Sequence, residues 1–396
     1  MNLLFLMIAY PDISETSSMY TDLASEFKNN GHNVFVAVAN GTRELSLKTE
    51  GNVIVLRIKT LELFNTSFIK KGLANLLLPY QVLYAVRRHF SDIHFDAIIS
   101  STPPITYLIT IDKLKKRYNS QVYLILRDIF PQNARDLGLI KSNLLFNFFR
   151  RKEKKLYEIA DHIGCMSVGN IDYVKSKNPE VHTEKLHLLT NWKNIKKYSE
   201  PDFSIRERLK IQNKFIVLYG GNLGKPQDIE FIIEIAESVS QINNVVFLIV
   251  GNGTEKKRMI NLCREKNLVN VIFMDPYPRD KYEDLVKVCD IGLIVNSRRF
   301  TIPNIPSRTL SYWEAKLPIL AAIDPYTDYK VILEKSESGF WSLTGDIKSF
   351  RKNFDILYKD QDLRQKMGRN GYDYLIENCS TSKACNTIID WLNTKR

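Results

Sequence analysis

The sequence predicts an α/β protein of two doubly wound domains, each built on a parallel sheet. Three observations lead there. The chain is 396 residues long, which suits two or three domains of ordinary size. Short apolar runs alternate with longer amphipathic ones. That rhythm stops at a polar stretch near Tyr198–Ser204 and then begins again.

In the first series, Leu3–Ala9 reads as a strand, Ser17–Asn30 as a helix and Asn33–Ala39 as a second strand. Ala97–Ser100, Gln121–Leu126 and His162–Ser167 continue the apolar runs. In the second series, Phe215–Tyr219, Val245–Val250, Val271–Met274, Ile291–Val295 and Ile319–Ile323 read as buried strands. Helices are expected between them at Asp228–Ser240, Glu255–Lys266, Lys281–Val288 and Ser307–Ala315. The expected division is 1–198, 199–380 and a final helical segment, 381–396, packing back on the first domain. Open parallel sheets bind ligands beyond the carboxyl ends of their strands. Two such domains are therefore expected to face each other across a ligand cleft.

Composition narrows the function classes. Hydrophobic residues are 44% and charged residues 25%, the profile of a soluble globular chain. The formal net charge of +12 points to nucleic acid, an anionic membrane surface or an anionic substrate. The five cysteines, at 165, 263, 289, 379 and 385, include no C-x-x-C pair and read as buried thiols of a reducing cytoplasm. The apolar start lacks a basic flank and a small-x-small cleavage site, so a first strand is expected rather than a secretory signal. No run approaches the eighteen or so apolar residues of a membrane-spanning helix. The histidines show no metal-ligand spacing. Asp360-Gln361-Asp362 opens a helix, where capping explains it without a metal.

Several motifs follow strands. Leu218-Tyr219-Gly220-Gly221-Asn222-Leu223-Gly224 precedes a helix, where glycines let backbone N–H groups approach an anion. Farther on come Val250-Gly251-Asn252-Gly253 and the series Arg298-Arg299-Phe300-Thr301-Ile302-Pro303-Asn304-Ile305-Pro306-Ser307-Arg308-Thr309. Arginines around a serine-led helix start suit a diphosphate by charge, hydroxyl and dipole. Asp275-Pro276-Tyr277-Pro278-Arg279 is either a nucleobase wall or a plain connecting loop. Asp128, after a strand, either accepts a hydrogen bond from a substrate hydroxyl or orders its loop.

Together these motifs resemble family 4 glycosyltransferases of the GT-B fold, two Rossmann-like domains, in the O-antigen and capsule branch with its putative L-fucosamine transferases. Gly31-His32-Asn33-Val34, Leu126-Arg127-Asp128-Ile129-Phe130-Pro131, Ala160-Asp161, Thr190-Asn191-Trp192, Lys316-Leu317-Pro318 and Met367-Gly368-Arg369-Asn370-Gly371 extend the resemblance over most of the chain. It implies a retaining, metal-independent and cofactor-free transfer of a sugar, an N-acetylated amino sugar among the candidates, from a nucleotide diphosphate donor such as a UDP-sugar. The acceptor implied is a saccharide on a polyprenyl diphosphate in surface polysaccharide synthesis. The donor contacts implied are Gly221, Asn222, Lys225, Gly251, Tyr277, Arg298, Arg299, Pro306, Ser307, Arg308, Thr309 and Ser311. Asp128 and Glu314 are the catalytic candidates. The sequence departs from the family at Pro303 and Ser311, where two glutamates are usual. Glu314, three residues on, either substitutes or is a solvated helix charge.

The positive surplus is concentrated early. Residues 1–200 hold 27 basic and 19 acidic side chains. No acid occurs from Leu63 to Ser91, where Lys70, Lys71, Arg87 and Arg88 flank apolar residues. Leu144–Phe149 likewise runs into Arg150 and Arg151. Such segments suit the anionic inner face of a bacterial cytoplasmic membrane, the alternative being core residues beside solvated lysines. A nucleotide-sugar 2-epimerase of the same fold is the competing enzyme reading. A nucleic-acid-binding protein ranks third, because no motif of that class occurs.

Overall fold

A computed structural model describes residues 1–63, 68–277 and 279–394, without the side chains at 68, 69, 71, 279 and 280. Lys71 as a cationic side chain and Pro278 therefore lie outside the described residues. The chain divides into two compact units, Met1–Asn194 with Thr381 onward, and Ile195–Ser380. The boundary falls at Asn194 rather than at 198.

The first unit holds an eight-stranded sheet: β1 (Asn2–Met7), β2 (Asn33–Ala39), β3 (Ser46–Glu50), β4 (Val53–Ile58), β5 (Ala97–Ser101), β6 (Gln121–Leu126), β7 (His162–Cys165) and β8 (Leu186–Leu188). Their order is β3-β4-β2-β1-β5-β6-β7-β8. Central strands are covered on both faces, so apolar residues run unbroken along β1. The sheet is not wholly parallel: β3 pairs antiparallel with β4, Ser46 opposite Arg57 and Glu50 opposite Val53. Gly51, at φ +58°, makes this tight turn possible. Arg57 fastens the hairpin through Glu50, at 2.6 Å, and the Tyr10 carbonyl, at 2.9 Å.

The core on one face of this sheet joins Phe5, Phe27 and Trp192 to Ala384, Cys385, Ile388 and Leu392 of the final helix, Thr381–Asn393. That helix thus completes the first unit's core. All five cysteines are free and buried.

Helix Asn143–Ile159 carries Glu153, only 2% exposed, which accepts hydrogen bonds from Arg150 at 2.8 Å and the Tyr157 hydroxyl at 2.9 Å. Burial outweighs Arg150 and pushes the Glu153 carboxyl up to about 7. Its folded value exceeds the unfolded one, so its stabilising effect is full below about pH 4.5 and lost as pH rises toward 7. Relative to Glu153→Gln, the native protein should lose on the order of 3 kcal/mol across that window. Paired urea titrations from pH 4 to 8 measure it, and parallel curves for the two proteins would contradict it.

The second unit is a six-stranded parallel sheet: β9 (Phe215–Gly220), β10 (Val245–Val250), β11 (Val271–Met274), β12 (Ile291–Val295), β13 (Ile319–Ile323) and β14 (Gly339–Leu343). The order β11-β10-β9-β12-β13-β14 reverses direction between β9 and β12. Loops leaving those two strands diverge to opposite faces and leave a crevice at their carboxyl ends. The glycine loop follows β9, and Arg298 and Arg299 follow β12. Helix Gln361–Asn378 begins at Asp360, whose carboxylate accepts the Leu363 N–H at 2.8 Å, the capping role expected for it.

Candidate active site

Two glycine loops meet at the β9 end of the crevice. The Gly221 N–H donates to the Val250 carbonyl at 2.9 Å, and the Leu223 N–H donates to Asn252 at 2.9 Å. Returning, the Glu255 N–H donates to the Leu223 carbonyl at 3.0 Å. The approach excludes side chains. A Cβ on Gly251, at φ +153°, would stand 1.9 Å from the Gly221 oxygen. Gln227 braces the turn by accepting the Gly224 N–H at 3.1 Å and the Asn222 amide at 3.3 Å. Asn222 is thus partly engaged in shaping the loop, whereas Lys225 is exposed.

Arg308 lies against this loop. Its guanidinium is 4.3 Å from the Tyr219 ring centre, and its Nη2 is 3.5 Å from the position of a Cβ on Gly221. Its Nη1 is buried with no hydrogen-bond partner. Beneath it, the Tyr312 hydroxyl accepts the Gly220 N–H at 3.1 Å. Gly220 itself leaves room for Tyr282, whose hydroxyl would be 1.7 Å from an added Cβ. A planar, permanently charged donor with an open N–H suits a phosphate oxygen.

The β12 loop joins the same crevice. The Ser297 N–H donates to Pro226 at 2.8 Å, and Arg298 pairs with Asp228 at 2.8 Å while lying over Phe231. Arg299 is exposed. Asp228, Ser297, Arg298 and Arg299, with Gly224 and Lys225, line a pocket of about 380 Å³ shared with Glu230, Glu234, Glu255 and Arg258. Arg258 ties Glu230 to Glu255. Arg298 is therefore not a free cation: Asp228, absent from the sequence-based site, sets its position.

The helix after this loop runs Thr309–Glu314, six residues rather than the longer helix expected from Ser307. Ser307 is exposed in the preceding turn, outside that helix. Pro306 is buried, and Thr309 shares a 2.7 Å hydrogen bond with the Tyr329 hydroxyl. Ser311 is half-buried. Arg308 and Tyr312 are four residues apart and reach the glycine loop together. Glu314, about 200° farther round the helix from Tyr312, is buried and accepts the Lys196 N–H at 3.3 Å. The solvated alternative for Glu314 is thereby corrected, and the carboxylate does not line the pocket with Arg298 and Arg299.

After β11, Lys256 binds Asp275 at 2.8 Å, the Gly251 carbonyl at 2.9 Å and the Met274 carbonyl at 3.2 Å. This ties the loop carrying exposed Tyr277 to Gly251. Lys256 was not foreseen, since its sequence position marks only a helix start.

In the first unit, Arg127 and Asp128 leave β6. The Arg127 guanidinium donates to the Asn191 amide oxygen and lies 5.9 Å from the Trp192 ring centre. It does not pair with Asp128. The Asp128 backbone is pinned by Thr102, whose hydroxyl donates to its carbonyl at 3.1 Å. The exposed carboxylate caps no helix.

The cationic segments divide. Arg150, expected at a membrane surface, is instead held by Glu153 at 2.8 Å, the Lys177 carbonyl at 2.7 Å and Asn178 at 2.6 Å. Lys70, Arg87, Arg88 and Arg151 are exposed. Helix Phe68–His89 turns Leu78, Val82 and Val86 into the core and leaves Leu73, Leu76, Leu77, Tyr80 and Tyr84 exposed. One face of this helix is therefore core, and the other exposes apolar residues beside its cations. Among the described residues, no helix is long and apolar enough to cross a membrane.

Residues 202–374 match the family described as Glycosyl transferases group 1. The match covers less than half of the chain. The matched segment contains the glycine loops, Arg298, Arg299 and Arg308. Over 276 residues the chain is 21% identical to the probable glycosyltransferase WbjE of Pseudomonas aeruginosa, covering 69% of this chain and 68% of that protein. It is 25% identical over 253 residues to the putative colanic acid biosynthesis glycosyl transferase WcaI of Escherichia coli K12, covering 60% of each. That stretch is less than two thirds of WcaI. Among solved structures, Anabaena HepE in complex with UDP is similar over 100% of both chains, with a TM-score of 0.71 and 14% identity. The two sheets and this likeness give the chain the GT-B fold.

Proposed function

We propose that the chain is a retaining, metal-independent glycosyltransferase of bacterial surface-polysaccharide synthesis, taking its sugar from a nucleotide diphosphate. The observation that carries this reading is Arg308, with a buried, unpartnered Nη1 beside Gly221 at the crevice of the segment that matches the group 1 glycosyl transferases. Departure of the diphosphate is the step that develops charge, and fixed donors stabilise it most. Arg308 and the loop N–H groups receive that charge, with Arg299 and Lys225 at the rim. The C1–O bond to phosphate breaks, the acceptor oxygen bonds to C1 on the same face, and the leaving phosphate takes the acceptor's proton. The known UDP complex of HepE supports a uridine donor by analogy.

The acceptor in this reading is a polyprenyl-diphosphate-linked saccharide bound by the first unit, with Asp128 accepting a hydrogen bond from its hydroxyl. Incubating the protein with UDP-sugars and a lipid-linked acceptor should lengthen the saccharide. Turnover of the nucleotide sugar without acceptor would favour the epimerase instead, and absence of both nucleotide binding and transfer would refute the reading. Asp128→Asn should reduce transfer more than donor binding; equal losses in both would assign it to the donor.

The first unit supports a peripheral position at the cytoplasmic face of the membrane. Leu144, 85% exposed, and Phe148 stand beside exposed Arg151, while the exposed face of Phe68–His89 carries Lys70, Arg87 and Arg88. Both helices pack against the segment Ile105–Tyr107. Leu144→Glu with Phe148→Glu should lower co-sedimentation with anionic vesicles by about tenfold or more. Unchanged sedimentation of the double variant would argue against membrane docking here.

A further inference from the structure

A second pocket of about 370 Å³ lies in the other unit-2 pole, at the amino-terminal ends of β12 and β13. Asp290 and Pro318, just before those strands, mark its floor. Five of its side chains are basic, and Asp290 is the single acid among them. Two of the cations are engaged: Arg206 by Asp290 and the Val288 and Lys214 carbonyls, Lys287 by Asp284 and Ser199. Of the other three, Lys316 and Arg369 have no anionic partner among the described residues, and Arg364 is partly engaged by backbone carbonyls.

Lys316 is held at φ +56°, a backbone conformation that favours glycine. A Cβ on Gly368 would stand 1.9 Å from its carbonyl oxygen, so the neighbouring helix locks this turn in place. Its ammonium lies 3.8 Å from the Tyr198 ring centre and 4.9 Å from that of Tyr372, with no carboxylate partner among the described residues. Arg369 is exposed and makes no hydrogen bond or ion pair among the described residues. Arg364 gives Nη1 to the Leu357 and Tyr358 carbonyls. The positive φ of Lys316 ends helix Thr309–Glu314, the Lys316 N–H returning to the Trp313 carbonyl and the Leu317 N–H to the Tyr312 carbonyl, each at 2.9 Å. Tyr198, Phe203 and Leu317 supply an apolar wall.

We propose that this pocket binds a small sugar phosphate, its phosphate held by Lys316, Arg364 and Arg369 and its sugar face against Tyr198. The surplus of cations selects the phosphate, and an aromatic wall suits the apolar face of a pyranose. The site is separate from the glycine-loop crevice, so it stands whatever donor that crevice takes.

Calorimetric titration of the full chain with glucose 6-phosphate, in saturating UDP, tests it. Binding should persist under UDP and fall by about tenfold or more in Lys316→Gly and in Arg369→Glu. Lys316→Gly relieves the backbone strain, so its melting temperature should match or exceed the native value; this separates lost binding from lost folding. Inorganic phosphate alone should bind more weakly than the sugar phosphate. Equal affinity for the two would overturn the sugar assignment, as would competition by UDP. Unaltered binding in both folded variants, or none in the native protein, would overturn the site itself.

Discussion

Arg308→Leu should lower the rate of sugar transfer by about a hundred- to a thousandfold, the usual effect of deleting one preorganised donor to developing charge. Leucine keeps an apolar side chain beside the Tyr219 ring but removes the charge and the unpartnered Nη1 donor. The loss should appear in kcat as well as in UDP affinity, because the diphosphate's charge rises as it leaves. Arg308→Lys should recover part of it, since an ammonium keeps the charge without the planar fork. Melting curves guard against misfolding. Native rates in a folded Arg308→Leu protein would remove Arg308 from the reaction and with it the central support for the donor crevice.

Gly251→Ala should be the more damaging of two glycine substitutions. Its methyl group meets the Gly221 oxygen at 1.9 Å, backbone that cannot swing aside, so the β9 and β10 loops must separate. Overpacking and conformational strain together amount to about 3 kcal/mol or more, and nucleotide binding should be lost with the loop geometry. Gly31→Ala is the matched control. At φ +83° it meets nothing within 4 Å and carries only the backbone term, about 1 kcal/mol. Comparable destabilisation of the two, with UDP binding intact in Gly251→Ala, would show that the loops are not a joined cradle.

The central strands were legible because burial on both faces leaves no room for polar residues: β9, β10 and β13 are unbroken apolar runs. Strand β3 was not. Its residues Ser-Leu-Lys-Thr-Glu are mostly exposed at a sheet edge, and pairing in a hairpin rather than composition makes it a strand. Strand β8 is only three residues long, too short for any pattern to register. At the site, residue types were informative and partners were not. Arginine content marked the β12 loop, yet Asp228 pairs with Arg298 from a left-handed turn 70 residues earlier. The same held for Arg150: a run of cations suggested a surface, while Glu153, three positions on, draws that one cation inward. Glu314 shows the limit most clearly. Spacing put it on one face with Ser311, but spacing cannot say which face meets the glycine loop.

The final helix has a bearing on how the protein is made. Its residues Ala384, Cys385, Ile388 and Leu392 belong to the core beside Phe5 and Phe27, at the far end of the sequence. On the ribosome, the first unit's sheet must wait with that apolar face open until the whole of the second unit has been synthesised. The second unit, contiguous from Ile195 to Ser380, has every residue it needs before then. The order of maturation therefore reverses the order of synthesis. A nascent chain stalled before Thr381 should resist protease in its later half and yield in its earlier one.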